Sequence, residues 1–183
     1  TAFKDEVIFE RIVRLKQIRD RYESFEKNKI IQIMSQLRHH LINMDEIDKI
    51  CKQINEHERF IAYGSPTLLN LLFDFQVDMK IFDKTVLLSS VNNGKILVPK
   101  NNDLIGLFTA TGRLLGCCDA KFQEVVLDTK NTKILFSKSQ INSEYIDFSF
   151  SMDTDNDYYE MHYVFLFLFD LIKTRYYELY IKE

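Results

Sequence analysis

RFIAYGSPTLLNLLFDF, Arg59–Phe75, is the stretch whose reading decides the fold. Phe60, Ile61, Ala62 and Tyr63 form a short apolar run, and Gly64-Ser65-Pro66 closes it. Serine is a favoured N-cap because its hydroxyl accepts from an amide of the first helical turn. Proline suits the first helical position because its missing N–H would have no partner there. A helix is therefore expected from Pro66 through Phe75. Strand, tight turn and capped helix make the first half of a βαβ unit.

Downstream the same alternation continues. Further strands are expected at Met79–Phe82 or Val86–Leu88, then at Leu104–Phe108, Lys133–Phe136 and Tyr145–Phe148. Asn92-Asn93-Gly94 and Asn101-Asn102-Asp103 read as turns. A helix after Gly112 carries Phe122, Val125 and Val126, and a long last helix is expected from about Asn156 to Tyr180. Continuous apolar strands separated by helices indicate a parallel sheet covered on both faces. The expected fold is α/β, a three-layer α-β-α sandwich with a five-stranded parallel sheet.

Upstream the pattern is helical, with no proline or glycine before Gly64. Ile12, Leu15, Ile18, Tyr22 and Phe25 recur at helical steps, and Ile30, Ile31, Ile33, Met34 and Leu37 mark a second helix. Asn43 and Glu46 form a candidate capping pair for a third, buried through Ile47, Ile50, Cys51 and Ile54. The division is thus 1–57, a helical segment packing on or dimerising with the core, and 58–183, the α/β domain.

With 183 residues, 46% of them hydrophobic, one domain with a substantial core is expected. A formal charge of −3 argues against a stand-alone nucleic-acid binder. Cys51, Cys117 and Cys118 show no CxxC pairing, which suits a reducing compartment. No signal-peptide pattern opens the chain, and its first residue, threonine, is read as the mark of a segment removed upstream. The run Tyr163–Ile172 is too short to span a bilayer and contains Asp170. A soluble cytoplasmic protein with no membrane partner is expected.

Ligands of such sheets bind at the carboxyl ends of the strands. Two strand ends here share one chemistry: Gly64-Ser65-Pro66-Thr67 and Thr109-Ala110-Thr111-Gly112. Each offers hydroxyls, a glycine and the unpaired amides of a following helix, which together suit an anion and phosphate above all. The candidate ligand-binding residues are Gly64, Ser65, Thr67, Thr109, Thr111 and Gly112. Ordinary helix capping explains the same residue types and stands beside this reading.

The segments Glu58–Phe75, Thr109–Leu114 and Tyr158–Tyr180 together resemble the sugar-isomerase (SIS) domain of RpiR-type bacterial transcription regulators. FKDEVIFERI (Phe3–Ile12) and the helices after it resemble the segment that links those regulators' helix-turn-helix domain to the SIS domain. The resemblance implies a phosphorylated sugar effector, a homodimer, and contact with DNA only through a helix-turn-helix domain absent from this chain. No cofactor, no metal and no catalysis are expected. The family's first loop resembles GxGS, and Ala62 holds the place of its first glycine. Its second loop resembles SxSGxT, and Leu114 replaces the last hydroxyl residue.

Other constellations point less far. An isomerase on this fold needs a base beside a carbonyl. Glu144, Glu160 and His162 are the available groups, and nothing in their spacing demands catalysis. DTDND, Asp153–Asp157, lacks the glycine and the closing glutamate of a calcium loop. His39, His40, His57 and His162 show no zinc spacing. The basic stretch Arg11–Arg21 is surrounded by acids and reads as a solvated face. The run Tyr163–Phe169 is apolar on every face, so one sheet cannot cover it all. Three functions follow: a phosphosugar-sensing regulator, a phosphosugar isomerase, or an SIS domain that only dimerises.

Overall fold

The computed structural model describes residues 44–91, 96–116, 119–138, 140–151 and 158–182, the side chains of 158–161 excepted. The chain forms two compact units, Thr1–His39 and His40–Glu183, and every described residue belongs to the second. The helices expected before residue 38, the Asn43 cap, the Asn92–Gly94 turn and Asp153–Asp157 lie outside the described residues.

Helix α1 (Met44–Glu56) leads into β1 (Arg59–Gly64). Next come α2 (Pro66–Leu69), a 3-10 turn (Asn70–Leu72), α3 (Phe73–Ile81) and β2 (Thr85–Ser90). After β3 (Asp103–Thr109) the chain forms two short helices, α4 (Arg113–Gly116) and α5 (Ala120–Phe122), and a π turn (Gln123–Leu127). The strands β4 (Lys133–Ser137) and β5 (Phe148–Ser151) and the long helix α6 (Tyr158–Tyr180) complete the unit. The sheet order is β2-β1-β3-β4-β5, and all four pairings are parallel. This is the expected three-layer fold. Among the described residues no helix is long and apolar enough to cross a membrane.

Strand alternation divides the core by chemistry. One face is aromatic: Phe60, Phe108, Phe136 and Phe150 meet Phe75 from α3 and Phe165 and Phe169 from α6. The Phe108 and Phe136 rings stack with centroids 4.6 Å apart. Gly106 belongs to this packing, since a Cβ there would lie 2.5 Å from the Phe60 ring. The other face is mainly aliphatic, with Ile61, Tyr63, Ile105, Leu107 and Leu135 under Phe122, Val126 and Leu127.

Helix α1 buries Ile47, Ile50, Cys51 and Ile54 as the periodicity predicts. Arg175 of α6 grips Asp48 through two hydrogen bonds of 2.7 and 3.0 Å, and the Tyr176 hydroxyl donates to Asn55. Burial pushes the Cys51 thiol up to about 12, so it stays protonated. Within α6, Val164, Phe165, Leu168 and Phe169 are buried, while Tyr163, Leu166 and Phe167 remain 39–41% exposed.

Two expectations are corrected, at the last strand and at the helix after Gly112, and one alternative is resolved. Of the two candidate second strands, only the later forms; Met79 closes α3 instead, fully buried. The last strand starts at Phe148 rather than Tyr145. Residues 144–147 serve as a turn whose Asp147 both donates to the Lys133 carbonyl and accepts from the Lys133 amide, which sets the β4–β5 register. The helix after Gly112 is broken into α4, α5 and the π turn. The connection between β2 and β3 is held at Leu97, whose carbonyl accepts from the Tyr63 hydroxyl at 2.7 Å and whose amide donates to Ser89 at 3.1 Å.

Candidate functional site

The two hydroxyl loops leave neighbouring strands at one level. Gly64 pairs with Phe108, so Ser65 and Thr109 are the next residues at the carboxyl ends of β1 and β3. A Cβ on Gly64 would lie 3.0 Å from both the Cβ and the carbonyl oxygen of Phe108, which fits glycine at this approach. Ser65 has the extended backbone of an N-cap, and its carbonyl accepts from Leu69 at 3.0 Å. The Leu68 amide lies 3.5 Å from its hydroxyl, at the outer limit of a hydrogen bond. Thr67 is exposed, one position into α2.

The second loop is built differently. Thr109 is 5% exposed, whereas Thr111 is exposed and Gly112 half-buried. Gly112 has φ +75°, a region L side chains disfavour, and a Cβ there would meet Ile141 at 2.7 Å. The Gly112 carbonyl accepts from Leu115 and starts α4. Arg113 is exposed. The structure thus gathers Gly64, Ser65, Thr109, Thr111 and Gly112 at one edge of the sheet, with Thr67 at its margin.

The register aligns two further hydroxyl residues that the sequence reading did not single out. Thr109 pairs with Ser137, and Ser137 with Ser151. A signal was present: each strand ends in an aromatic residue followed by a hydroxyl, Phe108-Thr109, Phe136-Ser137 and Phe150-Ser151.

The opposite edge is ionic. Arg59 donates twice to Asp103, at 2.7 and 2.5 Å, and the Lys100 amide donates to the same carboxylate at 2.6 Å. Burial works to raise the Asp103 carboxyl, but the Arg59 and Lys100 hydrogen bonds and charges outweigh it and hold the group below its ordinary value. The Asn131 side chain donates to the Lys100 and Asp103 carbonyls, and Lys133 Nζ donates to the Thr129 and Asn131 carbonyls. Burial pushes the Lys133 ammonium below its usual range.

Of the possible bases, Glu144 lies in the turn before β5, three residues after Ile141, whose side chain packs at Gly112. Glu160 and His162 lie in the first turns of α6, after the carboxyl end of β5. Among the described residues no cluster of His, Cys, Asp or Glu is arranged to hold a metal.

A groove of about 240 Å³ lies between α1 and the edge strand β5, lined by Lys49, Ile50, Gln53, Ile134, Asp147 and Phe148. It sits by the amino ends of β4 and β5. Its floor is apolar, and neither hydroxyl loop opens into it. The loops are the stronger candidate because a parallel sheet directs its polar loops and helix starts to the carboxyl edge.

No protein-family model matches the sequence, and neither does a curated protein. Solved structures do match in fold. A Methanococcus jannaschii protein, for which a 3-hexulose-6-phosphate isomerase function is inferred, superposes with a TM-score of 0.65 at 14% identity; the match covers 81% of this chain and 87% of that one. The Vibrio vulnificus NanR protein complexed with ManNAc-6P gives 0.65 at 11% identity, over 92% of this chain and 68% of that one. A Bacteroides fragilis protein, for which a phosphosugar isomerase role in capsule formation is suggested, gives 0.59 at 12% identity, over 82% and 89%. The chain therefore has an SIS-like α/β fold, with a five-stranded parallel sheet flanked by helices.

Proposed function

We propose that this chain is the effector-sensing and dimerising part of an RpiR-type transcription regulator, and that it binds a phosphorylated sugar without converting it. The observation that carries the reading is the pair of hydroxyl-and-glycine loops at the carboxyl ends of adjacent strands β1 and β3. The similar fold of NanR, bound to ManNAc-6P, supports the ligand class. The phosphate is assigned to Ser65, Thr109 and Thr111, with backbone amides near Gly64 and Gly112 and a marginal part for Thr67. The exposed half of the Tyr163–Phe169 run supports a homodimer. DNA contact, on this reading, belongs to a helix-turn-helix domain outside the chain, and the setting is the cytoplasm.

A phosphosugar isomerase is the second reading, supported by the folds of the Methanococcus jannaschii and Bacteroides fragilis proteins. One experiment separates the two. The chain is titrated calorimetrically with a panel of sugar phosphates and amino-sugar phosphates, and each mixture is followed by NMR for product. Saturable binding without product is expected, with a stabilisation of about 2.7 kcal/mol at a hundredfold excess over Kd. Product formation would establish the isomerase; no binding to any member would overturn both. Sedimentation at micromolar concentration should give a dimer, and a folded monomer there would remove the dimerising role.

A further inference from the structure

The outer face of α3 carries an exposed apolar row. Phe73, Val77 and Ile81 recur every four residues, so they lie along one side of the helix. They are 54, 48 and 73% exposed, whereas Phe75 and Met79 on the opposite side are buried in the core. Single exposed apolar residues are ordinary, but a continuous row on one helix face marks a contact surface.

The row reads the same from either end. Three residues to each side of Val77 stand Asp74 and Lys80, of opposite charge; four residues to each side stand Phe73 and Ile81, both apolar. A twofold axis at Val77 sets the helix antiparallel to its own copy, and the row of one helix then packs beside the row of the other as ridge into groove. Phe73 meets the partner's Ile81, and Asp74 comes beside the partner's Lys80. A parallel pairing would instead bring like charges level with each other. Such self-complementarity is what a contact between identical chains requires, so a second copy is the occupant that fits.

We propose that α3 pairs antiparallel with α3 of a second copy of this chain, across a twofold axis at Val77. This rests on the dimerising part of the proposed function and assigns it a face. Nine residues of helix fall short of the roughly 800 Å² per partner of a stable interface, and the adjoining face of α6 extends the surface. Helix α6 packs beside α3 through the Lys173–Asp78 pair at 2.8 Å and the ring contact of Tyr177 with Phe82. Leu166, two turns before Lys173 on the same side, and Tyr177, one turn after it, are both exposed.

Cysteine variants of the full chain test the axis. Oxidation should link Val77→Cys into a covalent dimer, because a residue at the axis stands against its own copy. Ile81→Cys, although more exposed, should link at least tenfold more slowly. Four residues of helical rise on each side of the axis hold its two copies about 12 Å apart. Mixed with Phe73→Cys, Ile81→Cys should link readily. The unaltered chain, oxidised in parallel, reads any linkage through Cys51, Cys117 or Cys118. Sedimentation of charge variants reads the register independently. Asp74→Lys should weaken the dimer about tenfold by creating two like-charge contacts, Lys80→Asp should do the same, and the two combined should restore it. A dimer in which Val77→Cys does not link, or links no faster than Ile81→Cys, would overturn the α3 axis and spare the dimerising function. Failure of the combined charge reversal to recover the dimer would also overturn the pairing. A folded monomer at micromolar concentration would remove both.

Discussion

At the amino ends of β1 and β3 the Arg59 guanidinium grips the Asp103 carboxylate, while at the carboxyl ends of the same two strands Ser65 and Thr109 present hydroxyls. The first arrangement is closed. Asp103 is answered by Arg59 and Lys100, Asn131 by two carbonyls, and Lys133 by two more. At the other end the Ser65 hydroxyl has one long contact, and Thr109 has no side-chain hydrogen bond among the described residues. One edge holds strong charges and satisfies them internally; the other holds weak dipoles and leaves capacity over. On the proposed function, stability and ligand recognition belong to opposite edges.

The largest effect expected from this comparison is on stability. Asp103→Ala leaves a partly buried guanidinium without its carboxylate and should cost about 3 kcal/mol in urea unfolding. Ligand affinity should survive at temperatures where the variant is folded. The pH dependence has a definite sign. A carboxyl held below its ordinary 3.8 when folded stabilises fully above that value, and the contribution fades as pH falls through the lower folded value. Asp103→Asn should flatten the acid limb of the stability profile, and an unchanged limb would break the account of this edge.

Thr109→Val comes next, with the opposite outcome. Removing one hydrogen bond to a charged phosphate should cost roughly 1.5–3 kcal/mol of binding, about tenfold or more in Kd, and little stability. A loss of stability with unchanged affinity would merge the two edges into one structural role.

The smallest effect should lie between the edges. Tyr63→Phe removes the hydroxyl bond to the Leu97 carbonyl, whose loss should destabilise by about 1 kcal/mol. Hydrogen exchange should quicken in residues 96–100. No quickening would show that Tyr63 does not hold this connection.

The fold was legible where pattern and capping agreed. Phe60–Tyr63 followed by Gly64-Ser65-Pro66 specified a strand, a turn and a capped helix; all three form, but the helix expected through Phe75 is interrupted by the 3-10 turn at Asn70–Leu72. Legibility failed where tertiary contacts decide. Tyr145 and Ile146 have strand-like side chains, but Asp147 pairs with Lys133 and moves the strand start to Phe148. Met79–Phe82 reads as apolar as a strand, yet it completes a helix beneath α6, where Phe82 meets Tyr176 and Tyr177. The loop residues could be singled out because Gly, Ser and Thr at strand ends suit either a helix cap, which Ser65 does form, or an anion, which is proposed. Ser137 and Ser151 could not, because only the sheet register brings them into line with Thr109.

The central claim is that the carboxyl edge, and not the ionic edge, takes the phosphorylated ligand. Backbone amide chemical shifts followed during titration with glucose 6-phosphate test it most directly. Saturable shifts are predicted at Gly64, Ser65 and Thr109–Arg113, with Arg59, Asp103 and Lys133 unmoved. Shifts concentrated at Arg59, Asp103 and Lys133, or in the groove residues Lys49, Gln53 and Phe148, would contradict the account.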